Sequence, residues 1–136
     1  MGDSNTWWDD DSEDDTYSNV IIQKSNESKS VMMWQNMTVD NNFQIKEGTF
    51  TIIDDWTLTV MSSLAGAFQV EDGSKLSLQA GIIDVPNGDV KFEDGSQAFV
   101  TGGLIKCGGD FRVLSNTAYD IQFTGGTVEM VGSSTQ

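Results

Sequence analysis

The residues of this chain that are best suited to chemistry are carboxylates in two copies of one turn. Glu71 and Asp72 open the first copy, Glu93 and Asp94 open the second, and each pair is followed by Gly and Ser. Two carboxylates about 5 Å apart are the arrangement of a retaining glycosidase, and turns stacked one strand apart would supply that distance. Asp-Gly is also an ordinary turn sequence, so we favour a structural role for both copies.

A second group of carboxylates lies near the start of the chain. Seven acidic side chains fall between Asp3 and Asn19, and oxygen ligands of this kind bind Ca²⁺. The segment lacks the Gly and the terminal Glu of an EF-hand loop, and runs of like charge are usually solvated. We therefore expect no specific calcium site in residues 9–15 and no cofactor.

Two aromatic residues, Trp7 and Trp8, stand within this acidic segment. The ends of a solenoid expose apolar faces and unpaired strand edges, so an indole could fold over the open end of the first coil as a cap. The alternative is an aromatic platform for a sugar ring. We favour the cap, and residues 1–19 are interpreted as a cap or loop.

Histidine and cysteine, two residues that often serve as catalytic base and nucleophile, are nearly absent. His is absent, which removes the usual general base and metal ligand. The single cysteine, Cys107, excludes an intrachain disulfide. Alternation places its side chain inward beside Val85 and Met130, as a small core hydrophobe rather than a reactive thiol. The sequence therefore assigns no residue a catalytic, cofactor-binding or metal-binding role.

The elements that must position these residues repeat about every 22 residues along the chain. Similar segments begin at Phe43, Phe68, Val90 and Phe111, and a weaker copy begins at Val20. Each opening is followed by a turn, such as residues 47–49, and by two further stretches in which apolar and polar residues alternate. Alternation is the pattern of a β-strand, and a period of this length built from short strands is typical of a solenoid.

The repeats predict an all-β fold over residues 20–132: a parallel β-helix solenoid, right-handed, with three short strands per coil and about five coils. Residues 133–136 are expected to form a C-terminal tail. Equivalent strands of successive coils would pair in parallel, so that inward residues stack in columns about 4.8 Å apart. The expected columns are Val39, Val60, Val85, Cys107 and Met130; Met37, Leu58, Ile83, Ile105 and Val128; Phe43, Phe68, Val90 and Phe111; and, at a corner, Gly81, Gly103 and Gly126.

Composition narrows the range of partners. The formal net charge is −14, from 21 acidic and 7 basic residues, which argues against nucleic acid and anionic membranes because both attract cationic surfaces. No apolar run is long enough to insert into a membrane, and the first residues lack the basic head and apolar core of a signal peptide. We expect an extracellular or cell-surface protein, of which this chain would be a mature or excised segment.

Several short motifs follow one another along the chain. They are the Thr-Trp pair at 6–7 with its acidic spacer, the Asn-Val-Ile-Ile strand at 19–22, the Thr-rich rungs at 37–45, 48–52 and 56–60, and the Gly-Gly-Thr-Val ending at 125–136. Together they resemble β-helical stretches of very large secreted surface proteins of Gram-negative bacteria, many of them exported by the type IX route. The resemblance implies a module of a larger adhesin-like protein and implies no catalytic residues.

Three functions remain open. We favour a non-catalytic structural or display module, a stalk or adhesin segment, because the turns are short and repeat proteins usually bind and catalyse through insertions. The second function is a carbohydrate-active β-helix enzyme built on the acidic turns. The third is a carbohydrate-binding module that uses exposed aromatic residues. Phe99, outward by alternation, is a candidate for a partner contact.

The unpaired strand edges of the first and last coils indicate what this chain would contact. Stacked coils leave parallel strand edges at both ends, and residues 126–131 have no cap in the remaining residues 132–136. Either more coils follow in the parent protein or this edge docks onto another chain. We expect contacts with a second copy of the chain or with neighbouring domains of a larger protein, and a glycan is the alternative partner. End-on self-association would be opposed by the net charge and promoted by salt, which screens it.

Overall fold

The computed structural model describes residues 6–8, 15–26, 28–115, 117 and 120–132. In these residues the protein is all β, with no helix, and accordingly none that has the length and apolar character to cross a membrane. The strands are β1 (Thr6–Trp8), β2 (Asp15–Tyr17), β3 (Val20–Gln23), β4 (Ser30–Met33), β5 (Met37–Val39), β6 (Phe43–Ile52), β7 (Thr57–Val60), β8 (Phe68–Val70), β9 (Ser74–Leu78), β10 (Ile82–Val85), β11 (Val90–Phe92), β12 (Gln97–Val100), β13 (Leu104–Cys107), β14 (Phe111–Val113), β15 (Ile121–Phe123) and β16 (Thr127–Met130).

The strands form a parallel β-solenoid of about five turns, which confirms the predicted fold class. Its strands lie on three faces. Face A contains β1, β4, the second half of β6, β9, β12 and β15. Face B contains β2, β5, β7, β10, β13 and β16, and face C contains β3, the first half of β6, β8, β11 and β14. The right-handed coiling expected from the sequence stays a prediction.

The pairing register follows the predicted columns. On face B, successive partners are Met37, Leu58, Ile83, Ile105 and Val128, and on face C they are Phe43, Phe68, Val90 and Phe111. Inward residues of the three faces form one core, in which the rings of Phe43 and Phe68 stack with centroids 5.5 Å apart and planes 7° apart. A slip of one residue would turn every column to solvent, so the alternation of the sequence fixes the register.

The structure departs from the sequence prediction at residues 43–52. A turn was expected at residues 47–49 between two strands, but β6 is one continuous strand of 10 residues. Its first half pairs with β3 and β8 and its second half with β4 and β9. Gly48 has a φ of +93°, a conformation open to a residue without Cβ. The backbone therefore bends from face C to face A near Gly48, where pairing with β8 ends at Ile45 and pairing with β9 begins at Gly48.

The corner column of glycines is confirmed. Gly81, Gly103 and Gly126 have φ values of +76°, +76° and +75°, in the left-handed region that other residues rarely adopt. Each glycine directly precedes a strand of face B, and the equivalent residue before β7 is Trp56. The chain turns the same corner by the same backbone conformation in the last three coils.

Parallel pairing extends upstream of residue 20. β1 pairs with β4 on face A, and β2 pairs with β5 on face B. The acidic segment therefore contributes backbone to two of the three faces. The indole cap predicted for Trp7 or Trp8, the tail predicted at residues 133–136 and residues 9–14 of the predicted calcium-free segment lie outside what the structure describes.

Candidate functional site

The two acidic turns stack one coil apart. The amide of Gly73 donates to the carbonyl of Gly95 at 3.2 Å. Within each turn the buried Ser hydroxyl donates back to the carbonyl of the first Glu, 2.6 Å from Ser74 to Glu71 and 2.7 Å from Ser96 to Glu93. The recurring Glu-Asp-Gly-Ser sequence is thus explained by hydrogen bonds that close the turn.

Glu93 is held by its neighbours on face C. Its Oε1 lies 2.7 Å from Nζ of Lys91 and accepts a hydrogen bond of 2.9 Å from Nε2 of Gln69. All three side chains point outward and are partly exposed. An ion pair of this kind on the side of the rod is worth little in stability.

The described residues contain no group of three or more Cys, Asp or Glu side chains arranged to hold a metal ion. Near the end of the rod, Arg112 lies between two carboxylates, with a nitrogen 2.6 Å from Oδ2 of Asp110 and 3.4 Å from Oδ2 of Asp89. Asp89 also accepts from the amide of Asp110 at 2.8 Å. This cluster ties successive coils together across the corner that precedes β11 and β14.

Cys107 is fully buried, as its predicted inward position requires. Its Sγ lies 3.3 Å from the carbonyl O of Asp110 and 3.6 Å from that of Gly109. Burial raises the pKa of the thiol, and the carboxylates of Asp89 and Asp110 raise it further. The thiolate is the reactive form of cysteine, so both effects make Cys107 an inert core residue.

Cys107 is expected to react slowly with a thiol reagent in native buffer and at least about tenfold faster in denaturant, because the reagent needs both access and thiolate. The absorbance of a released chromophore measures both rates. Native labelling as fast as denatured labelling would contradict the inward register of face B.

A shallow groove of about 400 Å³ lies at the corner between faces A and B. Ile82 and Leu104 are partners on neighbouring strands and line its apolar part. Asp55 and Gln79 are exposed at its rim, and Gly81 contributes backbone. An aliphatic surface flanked by a carboxylate and an amide has the chemistry to receive a sugar ring, since pockets combine apolar walls with a few polar groups.

The most distinctive surface is the C-terminal end of the rod, which we call the end face. It consists of Val113, Phe123, Val128 and Met130, each the last member of an inward column. In the coil before, the equivalent side chains are fully buried, whereas these four are 43%, 39%, 36% and 56% exposed. Inward-facing apolar residues are thus presented to solvent in one place.

Aromatic rings support this surface from below. Phe111 and Phe123 lie with ring centroids 6.2 Å apart, and both contact Phe92 of the preceding coil, at 5.8 and 6.5 Å. The arrangement is tilted or edge-to-face, the geometry that aromatic pairs prefer. The end face therefore rests on a packed aromatic cluster.

Sequence reasoning identified part of this surface. It placed Val128 and Met130 in inward columns and expected no cap on residues 126–131, and the structure brings them beside Val113 and Phe123. The contribution of Val113 and Phe123, and the groove at Ile82 and Leu104, were missed. Val113 and Phe123 could have been found from the sequence, because both lie in the last copy of the repeat.

Comparison of the chain with models of known families, with curated proteins and with solved structures found no match.

Proposed function

We propose that this chain is a non-catalytic structural or display module, a stalk or adhesin segment, of an extracellular or bacterial cell-surface protein. The resemblance to β-helical stretches of large secreted surface proteins favours this role. Coils that each rise about 4.8 Å form a short rod whose backbone is paired from coil to coil, which suits a spacer. The proposal includes association through coil edges with a second copy or with neighbouring domains of a larger protein.

The observation that carries the proposal is the end face. Burying one Val, Phe or Met side chain stabilises a protein by about 1.5–3 kcal/mol, so leaving four of them exposed is unfavourable. A contiguous exposed apolar patch of this kind marks an interaction site. The natural cover for the end of a coil is another coil or a surface that pairs with its edge strands.

Self-association through this face is expected to grow with salt, because salt screens the repulsion between chains of charge −14. Light scattering across a salt series measures it. Met130→Lys, which places a charge on the end face, should weaken association by about tenfold or more. Met61→Lys is the matched control: it makes the same change in charge at a methionine that is 45% exposed away from the end face, and association should be unchanged.

The same samples are screened for turnover of polysaccharides. A chain that stays monomeric at every salt concentration and also cleaves a polysaccharide would overturn the structural role in favour of the enzyme. Equal weakening by both lysine variants would show that association, where it occurs, does not use the end face.

A carbohydrate-binding module is the second candidate, and the groove at Ile82 and Leu104 is the observation that favours it. Calorimetry with the polysaccharides of the screen distinguishes the two roles. Binding without turnover that is lost in Leu104→Asp would favour this second function. Because Leu104 is an outward residue of β13, the variant should still fold.

A further inference from the structure

The corner that joins β10 to β11 contains the only Asn-Gly pair in the sequence, Asn87-Gly88. Asparagine is one of the chemically labile residues of proteins, because its side-chain amide can be attacked by the backbone nitrogen of the next residue. A glycine in that next position has no Cβ and leaves the approach open. The sequence therefore hinders this reaction least at Asn87.

The fold leaves both reacting groups of this pair untied. Asn87 is exposed, and in the described part of the chain the backbone amide of Gly88 donates to no carbonyl. Asn36 shows the opposite arrangement. Its Oδ1 accepts from the amide of Thr57 at 2.8 Å, and the residue that follows it is Met37. Asn87 thus combines an accessible side chain with a backbone nitrogen that is free to attack it.

The coils on either side of Gly88 fit closely around its main chain. Its carbonyl accepts from the amide of Gly109 at 2.9 Å. A Cβ on Gly88 would lie 2.4 Å from the carbonyl O of Ser62 and 2.5 Å from Cβ of Ala67. An additional atom in the main chain at this corner would therefore displace Gly88 from its contacts with both neighbouring coils.

We propose that Asn87 deamidates spontaneously in the folded protein and that the product loosens the corner between β10 and β11. The nitrogen of Gly88 forms a bond to Cγ of Asn87 and the Cγ–Nδ2 bond breaks, so that ammonia leaves with the proton of the Gly88 amide. Water then opens the resulting succinimide at either of its carbonyl carbons. One product is aspartate. The other is isoaspartate, in which the main chain runs through Cβ and Cγ and is one carbon longer.

The two products affect the corner differently. Aspartate adds a negative charge on the exposed side of the turn and leaves the main chain as it was. Isoaspartate adds the same charge and also lengthens the main chain beside Gly88, where Ser62 and Gly109 leave no space for it. The expected loss of stability comes from the second product. This inference goes beyond the proposed structural role and does not depend on it.

The reaction is tested by incubating the 136-residue chain at mildly alkaline pH, folded and in urea, followed by digestion with trypsin and mass spectrometry. The peptide of residues 76–91 contains Asn87 as its one asparagine. The peptide of residues 30–46 is the internal reference, because none of its asparagines precedes a glycine: Asn36, Asn41 and Asn42. In the folded chain, Asn87 should react at least about tenfold faster than the reference peptide and within about tenfold of its rate in urea.

Asn87→Gln is the matched control. It keeps the amide but moves it one methylene away from the nitrogen of Gly88, so residues 76–91 should stay unreacted. A rate in the folded chain more than about tenfold below the rate in urea would show that the corner protects Asn87 and would overturn the proposal. Circular dichroism during the incubation verifies that the first sample stays folded.

The loosening is tested on the aged protein, which ion exchange separates by its added negative charge. Asn87→Asp reproduces that charge on an ordinary main chain. The aged fraction should unfold at a lower urea concentration than Asn87→Asp, because only the aged fraction contains the longer main chain. Equal urea midpoints would show that the corner accommodates the extra atom and would overturn the second half of the proposal. Neither outcome bears on association through the end face.

Discussion

Replacement of Ile105 by Asp is expected to abolish folding. Ile105 is fully buried on β13, the last strand but one of face B, where its column neighbours are Ile83 and Val128. The variant would place an unpaired carboxyl group among aliphatic side chains, and its burial costs several kcal/mol even if it takes up a proton, a large part of the roughly 5–15 kcal/mol that stabilises a typical domain. Even Ile105→Ala, which leaves only a cavity, should lower the free energy of unfolding by about 2–5 kcal/mol. Urea denaturation followed by circular dichroism measures both variants.

Ile21→Asp is the matched control for this experiment. It makes the same substitution on a strand of the same solenoid, but Ile21 faces outward and is 46% exposed. Its effect on the free energy of unfolding should stay within about 0.5–1 kcal/mol. A cooperative transition of Ile105→Asp at the native urea midpoint would show that Ile105 does not face the core.

Replacement of Gly81 by Ala is expected to destabilise the protein far more than the same change at Gly73. The two glycines share the left-handed conformation, with φ of +76° and +75°. A Cβ on Gly81 would lie 2.4 Å from the carbonyl O of Trp56 and 2.6 Å from that of Asp54, whereas a Cβ on Gly73 meets nothing within 4 Å. Backbone atoms cannot move aside without breaking the pairing of the coils.

Both variants strain the backbone, but only Gly81→Ala also brings a methyl group against the neighbouring coil. The difference between their losses in free energy of unfolding therefore measures the cost of that close approach. Gly73→Ala carries only the cost of the left-handed conformation, about 1–2 kcal/mol, reduced by the lower entropy of its unfolded chain. Gly81→Ala adds the steric conflict and should lose about 3 kcal/mol or more. Thermal unfolding of both variants measures this difference. Equal losses of stability would mean that the backbone at the Gly81 corner relaxes to accommodate a methyl group.

The side of each strand that faces the core was predictable from the sequence. Alternation within strands such as Leu58–Val60 and Ile83–Val85, together with the repeat period, admits one register, because any one-residue slip exposes a whole column. The corner glycines were predictable for a similar reason. A turn that recurs at the same place in each coil needs the same backbone conformation, and Gly81, Gly103 and Gly126 supply it.

The path of the chain between strands was less predictable. The sequence Glu47-Gly48-Thr49 has the composition of a turn, and it was interpreted as one. The strand continues through Gly48 because β3 and β4 on one side and β8 and β9 on the other pair with both halves of β6. Long-range pairing overrides local turn propensity when a glycine lets the backbone bend.

The candidate site itself was decided by tertiary structure. Val113, Phe123, Val128 and Met130 follow the same alternation as the buried residues one coil earlier, so the local pattern assigns both sets to the core. Alternation determines which side of a strand a residue faces. Whether that side is covered depends on the coil stacked next along the axis, a contact between residues about 22 positions apart in sequence. The sequence therefore determined the columns of this protein, and only the stacking of its coils decided where a column ends at solvent.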